Sequence, residues 1–246
     1  MLSLEMNSLF LVLLFVVAFL YAAVGHGGAS GYLALMALFG FAPSMMKSSA
    51  LLLNIVVSLI AFIQYYRGGY FKWKLFIPFA ISSIPAAFIG SLIIVDPLIY
   101  KRILGVLLIF PILLLFGFIG KEKNEIKQIN IFVALLMGAI IGMLSGMMGI
   151  GGGIILGPFI LMAKWGNMKQ TAAVCALFIF VNSIAGIIGL VSKGLSINSA
   201  IYGWLLITFT GGLIGAYLGR KKFSNVFLKR VLAIVLVIAS VKLLMV

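Results

Sequence analysis

Apolar residues run through the chain in ten stretches, and the polar residues collect in the short connections between them. The stretches read Leu9–Val24, Ala29–Phe41, Ser49–Tyr65, Leu75–Val95 and Ile103–Ile119, and then Ile131–Met148, Ile154–Ala163, Ala172–Val191, Ile197–Leu218 and Val231–Val246. The one clearly polar connection, Lys121 to Asn130, falls between the fifth and the sixth. A helix needs about 20 predominantly apolar residues to cross hydrocarbon, and stretches of that order recur along the whole length. The pattern predicts an all-α polytopic membrane protein, with residues 1–246 forming a single transmembrane domain.

Two glycine-rich places interrupt this pattern. The first reads Gly25, His26, Gly27, Gly28, Ala29, Ser30, Gly31, and the second, Gly149, Ile150, Gly151, Gly152, Gly153, follows 124 residues later. A glycine inside a helix costs about 1 kcal/mol relative to alanine, so two clusters at matching positions read as intended breaks. The match extends beyond them: Phe41 falls on Trp165, Ser58 on Asn182, Ile60 and Ala61 on Ile184 and Ala185, and, with small gaps, Ile89 and Gly90 on Ile214 and Gly215. An internal duplication explains this, with one repeat over about 1–120 and a second over about 129–246. Each repeat is then a glycine-broken helical hairpin followed by three transmembrane helices, a plan common in secondary transporters.

Charge decides how the repeats relate. If each broken pair enters and returns to the same side, Arg67, Lys72, Lys74, Lys121, Lys123, Lys127, Lys164, Lys169, Arg220, Lys221, Lys222, Lys229 and Arg230 share one face. Lys47, Lys101, Arg102, Lys193 and Lys242 are left on the other. If each pair crosses once instead, the bias disappears. The positive-inside rule therefore favours two inverted repeats, with the basic-rich face cytoplasmic and both termini extracytoplasmic. The same distribution turns the net charge of +14 away from nucleic acid. Charged residues make up only 9% of the chain, against about 25% in soluble domains. The partner this composition implies is the lipid bilayer. No Lys or Arg precedes the first apolar stretch, so it reads as a retained span rather than a cleaved signal. The single cysteine, Cys175, precludes an intramolecular disulfide and argues against a metal cluster.

Irregular backbone at membrane depth is tolerated only where it is buried in protein or lines a polar cavity, which turns both breaks inward. Helices restarting near Gly28 and Gly152 would present free N–H groups and a positive dipole end, an arrangement suited to an anion. Glycine lets a ligand approach the backbone closely. The candidate substrate-binding residues are therefore Gly25, His26, Gly27, Gly28, Ala29, Ser30, Gly149, Gly151, Gly152 and Gly153. Asn54 and Asn182 join them as amides inside the following spans, where buried polar groups need partners. Isolated glycines such as Gly105 and Gly138 read as sites of close helix packing.

His26 has no counterpart in the second cluster and can serve as a donor or a proton carrier as readily as a structural group. Only four acids exist, Glu5, Asp96, Glu122 and Glu125, and none lies mid-span, so a carboxylate proton relay has no candidate beyond Asp96, at the outer end of its span before Pro97. Coupling to a proton or sodium gradient and the oligomeric state stay open. Lys47 and Lys169 precede the span after each broken pair, where they could form an anion funnel, but inversion places them at opposite mouths and snorkelling explains both. No metal-ligand spacing, phosphate loop or nucleophile with its base is found, which argues against an enzyme, and no cofactor is expected.

Gly149, Ile150, Gly151, Gly152, Gly153 followed by Pro158, and then Asn182, Ser183, Ile184, Ala185, Gly186, resemble the second-half signature of the sulfite exporter TauE/SafE family. The first break, Ala50 through Asn54, and Arg67, Gly68, Gly69 resemble its first half. The first cluster departs from the pattern by lacking the third consecutive glycine and by carrying His26. The resemblance implies a permease of the cytoplasmic membrane for small sulfur-containing anions such as sulfite, a sulfonate or a related organosulfur acid, working by alternating access. An anion channel and a non-transporting membrane scaffold are the alternatives. Paired helix breaks speak against the scaffold.

Overall fold

A computed structural model describes residues 8–24, 28–109, 112–113, 126–194, 199–219 and 225–245. Ten helices are found among them: α1 Ser8–Val24, α2 Ala29–Leu38, α3 Pro43–Arg67, α4 Trp73–Leu92, α5 Pro97–Leu107, α6 Ile131–Met148, α7 Gly153–Met162, α8 Met168–Ser192, α9 Ala200–Gly219 and α10 Asn225–Leu244. The fold is all-helical and polytopic. Among the described residues α3, α4, α6 and α8 are long and apolar enough to cross a membrane.

Several helices begin earlier than their apolar stretches, because polar caps extend them into the connections. Asn167 accepts from Gln170 N while the Gln170 side chain accepts from Asn167 N, a reciprocal capping box that starts α8 before Ala172. Asp96 accepts from the amides of Leu98 and Ile99 at 2.8 and 3.2 Å, with Pro97 at the first helical position of α5. Each such cap satisfies an amide that the first turn leaves without a partner.

Contacts at the helix ends fix the direction of each element. Phe10 in α1 stacks on Phe39, just past α2, with ring centroids 5.3 Å apart, so α1 and α2 leave and return to one end of the bundle. At the opposite end Lys127 N donates to Lys164 O at 2.7 Å, tying the approach to α6 to the exit from α7. The return legs α2 and α7 have 10 residues each, roughly 15 Å of helix, half of a span. Lys47 in α3 and Lys193 after α8 both reach the end of α4, whereas Lys169 Nζ meets Tyr70 OH at 3.1 Å at the other end. Helices α3 and α8 therefore run antiparallel and pack on each other. The pairings also interchange between halves: α4 packs on α6 as α9 does on α1, and α4 on α8 as α9 does on α3.

The tightest seam joins α4 and α6. Gly138, Gly142 and Gly146 recur every four residues along α6, and a Cβ on any of them would collide with the backbone of Phe79, Ser83 or Ala87. Small residues at this spacing let helix backbones touch in a membrane, which is the packing role the sequence assigned to Gly138.

Candidate functional site

The second break is built from left-handed backbone. Gly149, Gly151 and Gly152 have φ of +79°, +75° and +78°, a region that costs other L-residues about 1–2 kcal/mol. Gly149 ends α6, its amide donating to Ser145 O at 2.8 Å, and the carbonyl of Met148 accepts from Tyr100 OH at 2.8 Å. Gly152 then starts α7 with no side-chain cap. The first α7 amide to find a described carbonyl is that of Ile155, bonded to Gly152 O at 3.2 Å. The amides of Gly153 and Ile154, and those of Gly151 and Gly152 before them, are left as free donors among the described residues. Four unsatisfied N–H groups at a helix N-terminus form an anion-attracting end.

This end is wedged between α3 and α8. A Cβ on Gly151 would lie 2.7 Å from Ile179 Cγ2 and 3.1 Å from Asn54 Nδ2, and one on Gly152 would lie 2.8 Å from both Ile141 Cγ2 and Phe178 Cε1. Asn54 is 1% exposed, yet neither its Nδ2 nor its Oδ1 has a hydrogen-bond partner. A buried amide left wholly unsatisfied costs a few kcal/mol, and in a native structure it points to a missing ligand or water. Asn54 thus lies beside Gly151, within the turn that starts α7. Asn182 is also fully buried. Its Nδ2 donates to Phe178 O at 2.9 Å within α8, and its Oδ1 is unpaired. It lies one turn beyond Ile179 and one before Gly186, where α8 meets Leu51 of α3.

The first break is less symmetric. Gly25, His26 and Gly27 lie outside the described residues. Gly28 caps α2 with φ −76°, not the left-handed value of Gly152, and the Tyr32 ring covers it. Ala29 is fully buried, and the Ser30 hydroxyl is taken by Tyr21 OH at 2.6 Å. Tyr32 OH is buried without a partner. Asp96, the one carboxylate the sequence left as a relay candidate, is engaged as the cap of α5.

Lys47 differs from the sequence reading. Instead of snorkelling to an interface it is 7% exposed, and its Nζ turns inward to Ser91 O at 2.9 Å. Its Nζ is held at the last turn of α4, and its backbone lies against Gly149 of the second break. The available signal was spacing: Lys47 sits seven residues before Asn54, hence on the same helical face. Lys169, in contrast, is exposed and lies over the Tyr70 ring at 4.7 Å, as an interfacial lysine should.

Comparison with known proteins accords with this geometry. Residues 9–243 match the family described as Sulfite exporter TauE/SafE. The chain is 37% identical over 234 residues to the "Probable membrane transporter protein y4hK" of Sinorhizobium fredii, covering 94% of this chain and 95% of that one. It is 28% identical over 235 residues to the "Probable membrane transporter protein YdhB" of Bacillus subtilis, covering 91% and 93%. No solved structure matches the chain. A helical, multi-pass architecture with an inward-facing broken hairpin, matched from end to end by membrane transporters, places the chain in the sulfite exporter TauE/SafE family.

Proposed function

We propose that the protein is a secondary transporter for a small sulfur-containing anion, such as sulfite, a sulfonate or a related organosulfur acid, operating by alternating access in the cytoplasmic membrane. The observation that carries this reading is the set of free amides at Gly151 to Ile154 facing the unpaired side chain of Asn54. Free N–H groups at a helix N-terminus favour a negative ligand. The family description supplies sulfur chemistry. The site itself supports only the sign of charge and the small size that the close walls of Ile179 and Phe178 allow.

In this proposal the two halves are inverted repeats, the tips of the two broken hairpins meet near mid-depth, and α3 and α8 rock against each other to expose the site to either face. Antiparallel α3 and α8 and the interchangeable pairings support that plan. The end bearing Lys127, Lys164 and Lys169 is cytoplasmic, and both termini are extracytoplasmic. Three lysines at the other end, Lys47, Lys193 and Lys242, each donate to a carbonyl at a helix C-terminus, on Ser91, Leu92 and Leu38. Each of the three satisfies an end carbonyl, a local use for a basic residue on the face with fewer of them.

Uptake into proteoliposomes with sulfite, sulfonates, thiosulfate and carboxylates, with and without proton or sodium gradients, tests the function. Saturable sulfur-anion flux with counterflow is expected. Flux that does not saturate identifies a channel, and movement of cations or neutral solutes alone removes the anion site. For topology, single cysteines replacing Lys169 and Lys193, both exposed, in a Cys175-free background should label from opposite faces. Labelling from one face would exclude the arrangement.

A further inference from the structure

Lys47 is the one charged side chain buried among the described residues. Its ammonium has three donors, of which one is used, toward Ser91 O. That carbonyl belongs to the end of α4, where Lys193 Nζ holds the neighbouring Leu92 O at 2.6 Å. A helix C-terminus carries roughly half a negative charge, so two lysines there are only partly compensated. No described carboxylate reaches Lys47, and Asp96 is engaged in capping α5. A cation taken out of water without a counter-charge is costly, and ionisable groups inside a span mark partners or pathways.

The backbone of Lys47 lies against the second break, while its ammonium is held at Ser91 O. A Cβ on Gly149 would lie 2.9 Å from Lys47 O and 3.0 Å from its Cα. Along α3, Lys47, Asn54 and Ser58 are spaced by seven and four residues, which puts them on one face with Lys47 about 10 Å from Asn54 along the axis. All three are buried.

We propose that Lys47 is the counter-charge of the transported anion: the path between the second break and the Lys47 end of the bundle runs past its ammonium, whose unused donors pair with the passing anion. The inference rests on the anion site proposed at that break. The two parts divide the work. Amides and Asn54 present neutral donors that fit the ligand's shape, and Lys47 sets the sign of charge that is admitted. Desolvated pairing of this kind changes affinity strongly when one partner is removed.

Sulfite and methanesulfonate flux in proteoliposomes, using the full chain, tests it with three variants. Lys47→Gln is expected to raise KM by about thirtyfold or more for both anions. Lys47→Arg keeps the charge and should remain much nearer to wild type. Lys193→Gln removes the companion cap at the exposed end of α4 and should change KM by less than about fivefold. Because both lysines hold α4, both Gln variants should lower thermal stability, so stability alone does not discriminate and KM does. Where Lys47→Gln fails to fold, Lys47→Met keeps the aliphatic stem and removes the charge. A wild-type KM in either neutral variant, or an equal rise in Lys193→Gln, overturns the role of Lys47 while leaving the anion site standing. Absence of anion flux in the wild type overturns both.

Discussion

Leucine in place of Gly146 is expected to prevent stable folding, leaving protein that is degraded in the membrane or aggregated after extraction. Even the first atom of the new side chain has no space, since a Cβ on Gly146 would run into Ala87 O and lie 2.8 Å from the Ala87 carbonyl carbon and Ser91 N. Those neighbours are backbone and cannot rotate aside. Overpacking a core usually costs about 1–3 kcal/mol. Forcing α4 and α6 apart also opens the seam at Gly142, Gly138 and Gly90, each of which meets backbone across the same contact. A loss repeated along the seam approaches the total of about 5–15 kcal/mol that holds a domain together. Gly203 in α9 is the control, because nothing lies within 4 Å of a Cβ built there, and Gly203→Leu should fold normally. The check is monodispersity and thermal unfolding in detergent of Gly146→Ala, Gly146→Leu and Gly203→Leu. A wild-type profile for Gly146→Leu would mean that α4 and α6 do not meet as described.

Much of this architecture was legible in the residues because a membrane leaves few choices. Apolar length fixes where helices run, since the backbone must satisfy itself. Lysine and arginine distribution marked the same two ends that Lys127–Lys164, Lys169–Tyr70 and Lys47–Ser91 contacts define. Helices start well ahead of several apolar stretches, because hydropathy registers neither caps such as Asn167 and Asp96 nor Pro43 in a first turn. At the site, the second glycine cluster revealed where the backbone must turn, since glycine enters the left-handed region without strain. Their spacing cannot reveal partners from other helices. Asn54 was recognisable as a buried amide, but its approach to Gly151 depends on how α3 crosses the break. Lys47 was misread for the same reason: a lysine near a span end snorkels unless tertiary packing encloses it, and enclosure is not encoded locally.

Alanine at Gly151 is the sharpest probe of the break, and transport should fall about 100-fold, the effect that roughly an ångström of misplacement has on a positioned substrate. Two causes act together. Alanine at φ +75° is strained, and its methyl would press on Ile179 Cγ2 and Asn54 Nδ2 at 2.7 and 3.1 Å, displacing the amide proposed to meet the anion. Gly40 separates them, for it has φ +74° and nothing within 4 Å of a Cβ. Gly40→Ala carries the same backbone strain and should lose about 1–2 kcal/mol of stability with its transport intact. Asn54→Ala removes the amide proposed to meet the ligand without touching the break, and it should also depress flux, by raising KM more than by lowering the maximal rate. The double variant, Gly151→Ala with Asn54→Ala, should be less severe than the product of the two, because groups serving one ligand are coupled. Multiplicative losses would place Asn54 and Gly151 in separate steps. If Gly151→Ala and Gly40→Ala lose transport equally, strain rather than occupancy is responsible, and the second break is a hinge rather than a binding site.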